Sequence, residues 1–146
     1  MITDYLYISS WPEGKHLEDI RARNIQLILS MHWRRPAVEL RESSVKVLWL
    51  PTFDTPLIPM PIHTLVEGVE AALPVIQDGY GVLTHCRHGI HRSAAMASCV
   101  LIGKGYTADQ AMALIKEKRS VANPYIGYIR ARIRKFESYW NQISSH

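Results

Sequence analysis

Cysteine is scarce in this chain. Its 146 residues hold two, Cys86 and Cys99, too few for a disulfide framework, so each must be explained as a thiol. Long apolar runs are missing as well: no stretch approaches the ~20 consecutive apolar residues of a membrane span. The start, Met1-Ile2-Thr3-Asp4-Tyr5, has neither the basic region nor the apolar run of a signal peptide. These absences set the expectation of a cytoplasmic protein. Repeats, low-complexity tracts and a Gly/Ser linker are also lacking, which points to one domain over residues 1–146. What is present is a balance of 47% hydrophobic and 21% charged residues, enough to bury roughly 70% of the unfolded surface and to exclude intrinsic disorder. The net charge of +4 is uneven: residues 1–100 carry nine Lys/Arg against ten Asp/Glu, residues 101–146 eight against three.

Short aliphatic or β-branched runs at Tyr5–Ile8, Ile25–Ser30, Val45–Leu50 and Val82–Thr84 read as strands bounded by turn residues. Helical spacing of apolar residues predicts helices over Lys15–Arg23, Ile62–Gln77, Ser93–Gly103, Ala111–Lys118 and Tyr125–Trp140. Pro61 suits a first helical turn, and Pro74 is expected to kink the third-quarter helix or end it early. Thr107 and Gln110 have the spacing of a capping box. Strands alternating with helices, then helices alone, predict an α/β sandwich whose central, mostly parallel sheet of four to five strands is flanked by helices. Ligands of such sheets bind at the C-terminal strand ends.

One segment lies at such an end: His85-Cys86-Arg87-His88-Gly89-Ile90-His91-Arg92-Ser93, between an apolar strand and an Ala-rich helix. A thiol at a helix N-terminus meets unsatisfied N–H groups that favour the thiolate and lower a cysteine pKa below ~8.5. Cys86 therefore reads as a nucleophile. The amides from Arg87 to Arg92 would wrap an anion, Gly89 permits backbone conformations that other residues resist, and the Arg92 guanidinium can grip two phosphate oxygens. Cys99, inside an Ala/Val/Leu helix, reads as core packing. A zinc site built from His85, Cys86, His88 and His91 is the competing reading, but the spacing fits no familiar zinc pattern.

The nine residues match the H-C-x-x-G-x-x-R-[S/T] signature, and the chain resembles the small dual-specificity branch of the cysteine-dependent protein tyrosine phosphatase superfamily. The opening strand from Ile2 to Ile8, the strand ending Leu50-Pro51-Thr52-Phe53-Asp54, and a last helix introduced by Arg119 through Gly127-Tyr128 extend the resemblance over most of the chain. It implies a shallow cleft and a phosphotyrosine phosphatase-like sandwich. It implies that Cys86 attacks phosphorus and that Arg92, with Arg87, His88, Gly89, Ile90 and His91, holds the phosphate without a cofactor or metal. Ser93 would protonate or stabilise the leaving sulfur, and His85 would order the loop by hydrogen bonding rather than act as a base. Asp54, in a proline-bounded loop 32 residues before Cys86, is the general acid of choice; Asp78, before the strand, is its nearest competitor. Asp54 could instead cap a turn at Thr55-Pro56.

The expected substrates are phosphorylated proteins carrying phosphotyrosine and, as a second class, phosphoserine or phosphothreonine. Alternatives are a phosphoinositide or RNA 5′-phosphate phosphatase using the same loop, a phospho-binding module without turnover, and a rhodanese-type sulfur carrier. Arg87, His88 and His91 make the rim basic and pH-sensitive, which suits acidic substrates. Trp33, Arg34 and Arg35 are placed to border the cleft. Arg130, Arg132, Arg134 and Lys135 read first as a solvated helix face. Where relatives have Pro-Asn before the Gly-aromatic pair, Pro124-Tyr125 stands here, so Asn123 or the Tyr125 hydroxyl must tie the last helix to the loop, or the tie is missing.

Overall fold

The structure, a computed structural model, describes residues 1–10, 16–36, 43–86 and 90–144. Four strands, β1 (Leu6–Ser9), β2 (Ile25–His32), β3 (Lys46–Thr52) and β4 (Gly81–His85), form one sheet in the order β1-β4-β2-β3. Every pairing is parallel. The expectation of four to five mostly parallel strands thus resolves, among the described residues, to four wholly parallel ones. β2 and β4 are central and almost continuously buried, which is why they are apolar without alternation.

Five helices accompany the sheet: α1 (Leu17–Ala22), α2 (Ile62–Gln77), α3 (Arg92–Gly103), α4 (Ala108–Lys118) and α5 (Gly127–Ser144). Leu27, Leu29 and Met31 of β2 and Val82 of β4 pack into one large core with α2, α3, α4 and α5. Ile28 and Leu83, one step along each strand, belong to a smaller core with Ile20 of α1, as the two-residue period of a strand requires. α1 ends in Asn24, whose φ of 62° is a left-handed turn that asparagine tolerates. α3 is buried along its length, with Cys99 fully inside. α4 carries both halves of the Thr107/Gln110 capping box.

Pro74 does not end α2 early; the helix runs on to Gln77. Only the bond to the exposed Glu70 carbonyl is lost, which water can satisfy, and Pro74's own carbonyl accepts from the Asp78 N–H at 3.0 Å. No helix among the described residues is long and apolar enough to cross a membrane.

α2 and α3 touch closely at Gly103, where a Cβ would lie 2.7 Å from Val69 Cγ1 and 3.4 Å from Leu73 Cδ2. Gly103→Ala is therefore expected to destabilise the fold by about 1–3 kcal/mol despite alanine's better helix propensity. A urea midpoint equal to that of the unsubstituted chain would show that α2 and α3 separate at no cost.

Candidate active site

The C-terminal ends of β2, β3 and β4 converge. A cleft of about 440 Å³ opens there, lined by Cys86, Arg92, His91 and Asp54 and walled by Trp33 and Phe53. β4 delivers His85 and, one residue on, Cys86, which is 4% exposed. α3 begins at Arg92, and the side chain of its N-cap residue, His91, makes no capping hydrogen bond among the described residues; the first N–H groups of a helix are suited to an anion.

Arg92 is buried, and one arm of its guanidinium is spent on the scaffold. Nη1 donates to the Thr52 carbonyl at 2.7 Å and more weakly to that of Met31 at 3.4 Å. The Thr52 hydroxyl also donates to the Met31 carbonyl. The ends of β2 and β3 thereby hold the cation in place. Its Nε is buried with no hydrogen-bond partner among the described residues, a donor whose desolvation is uncompensated until an acceptor arrives. Ser93 Oγ lies 3.4 Å from Cys86 Sγ, within reach of a sulfur hydrogen bond, and the Ser93 carbonyl accepts from the Thr84 hydroxyl at 3.1 Å.

His85 is wholly buried. Burial, opposed in part by its hydrogen bond to the Cys86 backbone, lowers its pKa from 6.5 to about 4, so the ring is neutral near pH 7 and is a structural hydrogen-bonding group. Burial pushes the Cys99 thiol up, which keeps it protonated and inert.

Asp54, in the loop after β3, reaches across to the start of α3. Its Oδ2 lies 2.9 Å from His91 Nδ1, and its Oδ1 accepts from the Tyr128 hydroxyl at 2.5 Å. Partial burial pushes the carboxyl up, but the hydrogen bonds from Tyr128 and His91, with the charges of His91 and Arg92, outweigh it and the net shift is down. Asp78, by contrast, caps the end of α2 ahead of β4 and is exposed, at the far end of the sheet from the cleft.

Arg87, His88 and Gly89 lie outside the described residues. Ile90 lines the cleft and its carbonyl accepts from the Asn123 N–H at 2.8 Å. That bond ties the approach to α5 to the loop through the Asn123 backbone, while Asn123 Oδ1 accepts from the Tyr125 N–H at 3.2 Å. Among the described residues no three His, Cys, Asp or Glu side chains converge as metal ligands. Trp33 borders the cleft with Arg34 stacked over its ring, whereas Arg35 lies over Trp49. Arg134 pairs with Asp109 and Arg132 reaches the Met60 carbonyl, so these two basic groups of α5 serve the scaffold. Tyr128 is the site residue that sequence reasoning missed as a functional group. It entered only as the aromatic of a Gly-aromatic pair, and no local pattern shows that its hydroxyl meets a carboxylate 74 positions away.

The low pKa of His85 has a consequence for stability. Between about 6.5 and about 4 the unfolded chain binds a proton that the native ring refuses, so stability falls as pH drops through that window and levels off below it. The contribution is at most ~3 kcal/mol. His85→Gln should reduce the fall in urea midpoint across this range, and an unchanged slope would show that His85 is not what sets it.

The family model described as dual specificity phosphatase, catalytic domain, matches residues 6–138. The chain is 33% identical over 99 residues to mouse dual specificity phosphatase 28, covering 66% of this chain and 59% of that protein. It spans less than two thirds of that relative's length. The crystal structure of human DUSP28 superposes with a TM-score of 0.86 at 21% identity, over 97% of both chains. That of PTPMT1 in complex with PI(5)P superposes at 0.88 and 20%, over 98% of this chain and 96% of the other. The matched span runs from the first strand into the last helix and takes in every element of the cleft, and the chain belongs to the dual-specificity phosphatase catalytic-domain family.

Proposed function

We propose that this chain hydrolyses phosphate monoesters on proteins, phosphotyrosine first and phosphoserine or phosphothreonine second, through a phosphocysteine intermediate. The observation that carries the reading is the meeting of Cys86 Sγ, Ser93 Oγ and the buried, unpartnered Arg92 Nε in one cleft that Asp54 also lines. Arg92 is anchored through Nη1, so Nε and the remaining nitrogen are left for two oxygens of a phosphate. Cys86 attacks phosphorus, the equatorial oxygens gather on Arg92 and the helix amides, and the leaving oxygen takes a proton from the Asp54 side. Water then displaces the thiolate, which Ser93 stabilises, and Asp54 takes the water's proton. Every step uses side chains, backbone amides and water, with no metal called for.

His85 orders the loop as a neutral donor to the Cys86 backbone. Ile90 and His91 contribute the loop's rim, and the amides of Arg87, His88 and Gly89 are assigned to phosphate by the sequence signature. Trp33 at 51% and Phe53 at 46% exposure offer apolar faces beside the cleft, against which a phosphotyrosine ring can stack. A reducing compartment such as the cytoplasm suits the reading, because Cys86 works only as a thiol.

The test is hydrolysis of phenyl phosphate in the presence of a chelator. The wild type is expected to turn over, Cys86→Ser to be inert, and Asp54→Asn to lose about 10²–10⁴-fold in kcat while binding inorganic phosphate nearly as before. Turnover that needs a divalent ion, or survives Cys86→Ser, overturns the mechanism. Faster hydrolysis of an inositol phosphate or a triphosphate-ended RNA than of a phosphotyrosine peptide overturns the substrate assignment alone.

A further inference from the structure

Three side chains from separate parts of the chain meet at one point: Asp54 after β3, His91 at the start of α3 and Tyr128 in the first turn of α5. Besides the bonds at 2.9 and 2.5 Å, His91 Nδ1 lies 3.2 Å from Asp54 Oδ1 and 3.4 Å from the Tyr128 oxygen. The His91 and Tyr128 rings meet edge to face at 6.0 Å. Both oxygens of Asp54 thus face donors, an arrangement that stabilises the ionised carboxylate. A group that protonates a leaving oxygen must nevertheless have a proton to give, and here one of the two donors has to supply it.

Tyr128 is unsuited to that task. Burial, then the hydrogen bond and charge of Asp54, push its hydroxyl up to about 12, so it keeps its proton and serves only to hold the carboxylate. His91 is the other donor, with Nδ1 2.9 Å from Asp54 Oδ2, and an imidazole can give and retake a proton across such a contact, so it is the exchangeable member. The other groups facing the pair are Arg92 from α3, whose charge favours ionised Asp54, Cys86 after β4, and His32 at the end of β2, which line the same cleft. A thiolate at Cys86 favours a charged imidazole.

We propose that Asp54 and His91 act as one proton-carrying pair, His91 holding the proton that passes through Asp54 to the leaving oxygen, with Tyr128 as the positioning residue that fixes the carboxylate. The proposal rests on the phosphatase reading above and replaces the view of His91 as only a basic rim group. In the first displacement the S–P bond forms and the bond from phosphorus to the leaving oxygen breaks. That oxygen takes a proton from Asp54 as Asp54 takes the Nδ1 proton of His91, leaving carboxylate and neutral imidazole. In the second, an O–H bond of water breaks and its proton returns through Asp54 to His91, as the O–P bond forms and the S–P bond breaks to free the thiolate. One proton leaves the pair and one returns. The gain is that a carboxylate held by two donors is resupplied with a proton by a neighbour already in contact with it.

The test is a kinetic comparison with His91→Gln, which keeps a hydrogen-bond donor but no exchangeable charge. On phenyl phosphate its kcat near neutral pH is expected to fall about 10-fold, with the decline of kcat at rising pH setting in at least about one pH unit earlier than in the wild type. On a dinitrophenyl phosphate, whose leaving group needs no proton, kcat should change less than about 2-fold. Equal effects on both esters with an unmoved pH profile, or a variant faster than the wild type, would overturn the pair. An inert Cys86→Ser and a slow Asp54→Asn beside an unimpaired His91→Gln would leave the phosphatase reading standing and remove only this inference. A readout independent of turnover is the titration of the Asp54 carboxyl carbon by NMR. Its midpoint should rise in both His91→Gln and Tyr128→Phe, and a midpoint that stays put in both removes the pair even if the wild type hydrolyses nothing.

Discussion

Arg92 is a permanent cation at 4% exposure, and a charge taken out of water costs several kcal/mol unless hydrogen bonds replace its hydration. The carbonyls of Thr52 and Met31 supply part of that replacement, and they sit at the ends of β3 and β2. The side chain proposed to meet phosphate is therefore also the rivet between two strand ends and the first turn of α3. Its Nε has no partner among the described residues, a position that a phosphate oxygen would fill under the proposed mechanism.

Much of the remaining architecture serves to bring that rivet beside the thiol. β4 is buried on both faces, which fixes the strand end from which Cys86 emerges, and α3 is buried through its whole length, which fixes the direction from which Arg92 and Ser93 arrive. The Thr84 hydroxyl bonds the Ser93 carbonyl and so links strand to helix on either side of the loop. Asp54 comes from the loop after β3 and is bonded by Tyr128 of α5. His91 and Arg92, neighbours at the start of α3, face Asp54 and the strand ends respectively, so under the proposed mechanism the proton-handling and anion-holding groups meet at one helix start.

The strands, the helices and the loop were legible in the sequence because each rests on local chemistry: apolar runs, helical spacing, a Thr-x-x-Gln cap, and nine consecutive residues with one shared purpose. The place of Asp54 beside the cleft was legible too, from its position after a strand end. Of the two outcomes expected at Pro74, an early end does not occur, because the proline lies in the last turn, where it removes only one intrahelical bond. His91 was read as a basic rim group since, in sequence, its neighbours are Arg92 and Ile90; in the fold its nearest polar partner is Asp54, 37 residues away. The tie between the last helix and the loop was left open among side chains, and a backbone N–H at Asn123 makes it.

What the sequence by itself determined is the class of sheet and which thiol and which arginine lie together after its central strand, since strand pattern and signature are properties of contiguous residues. What only the tertiary structure decided is which groups share a proton and which spend their hydrogen bonds on the scaffold. Tyr128 and Asp54 are 74 positions apart, Arg92 and Met31 61. Hydrogen bonds act over about 3 Å, so partnerships across such separations exist only once the strand ends and helix starts have been packed together.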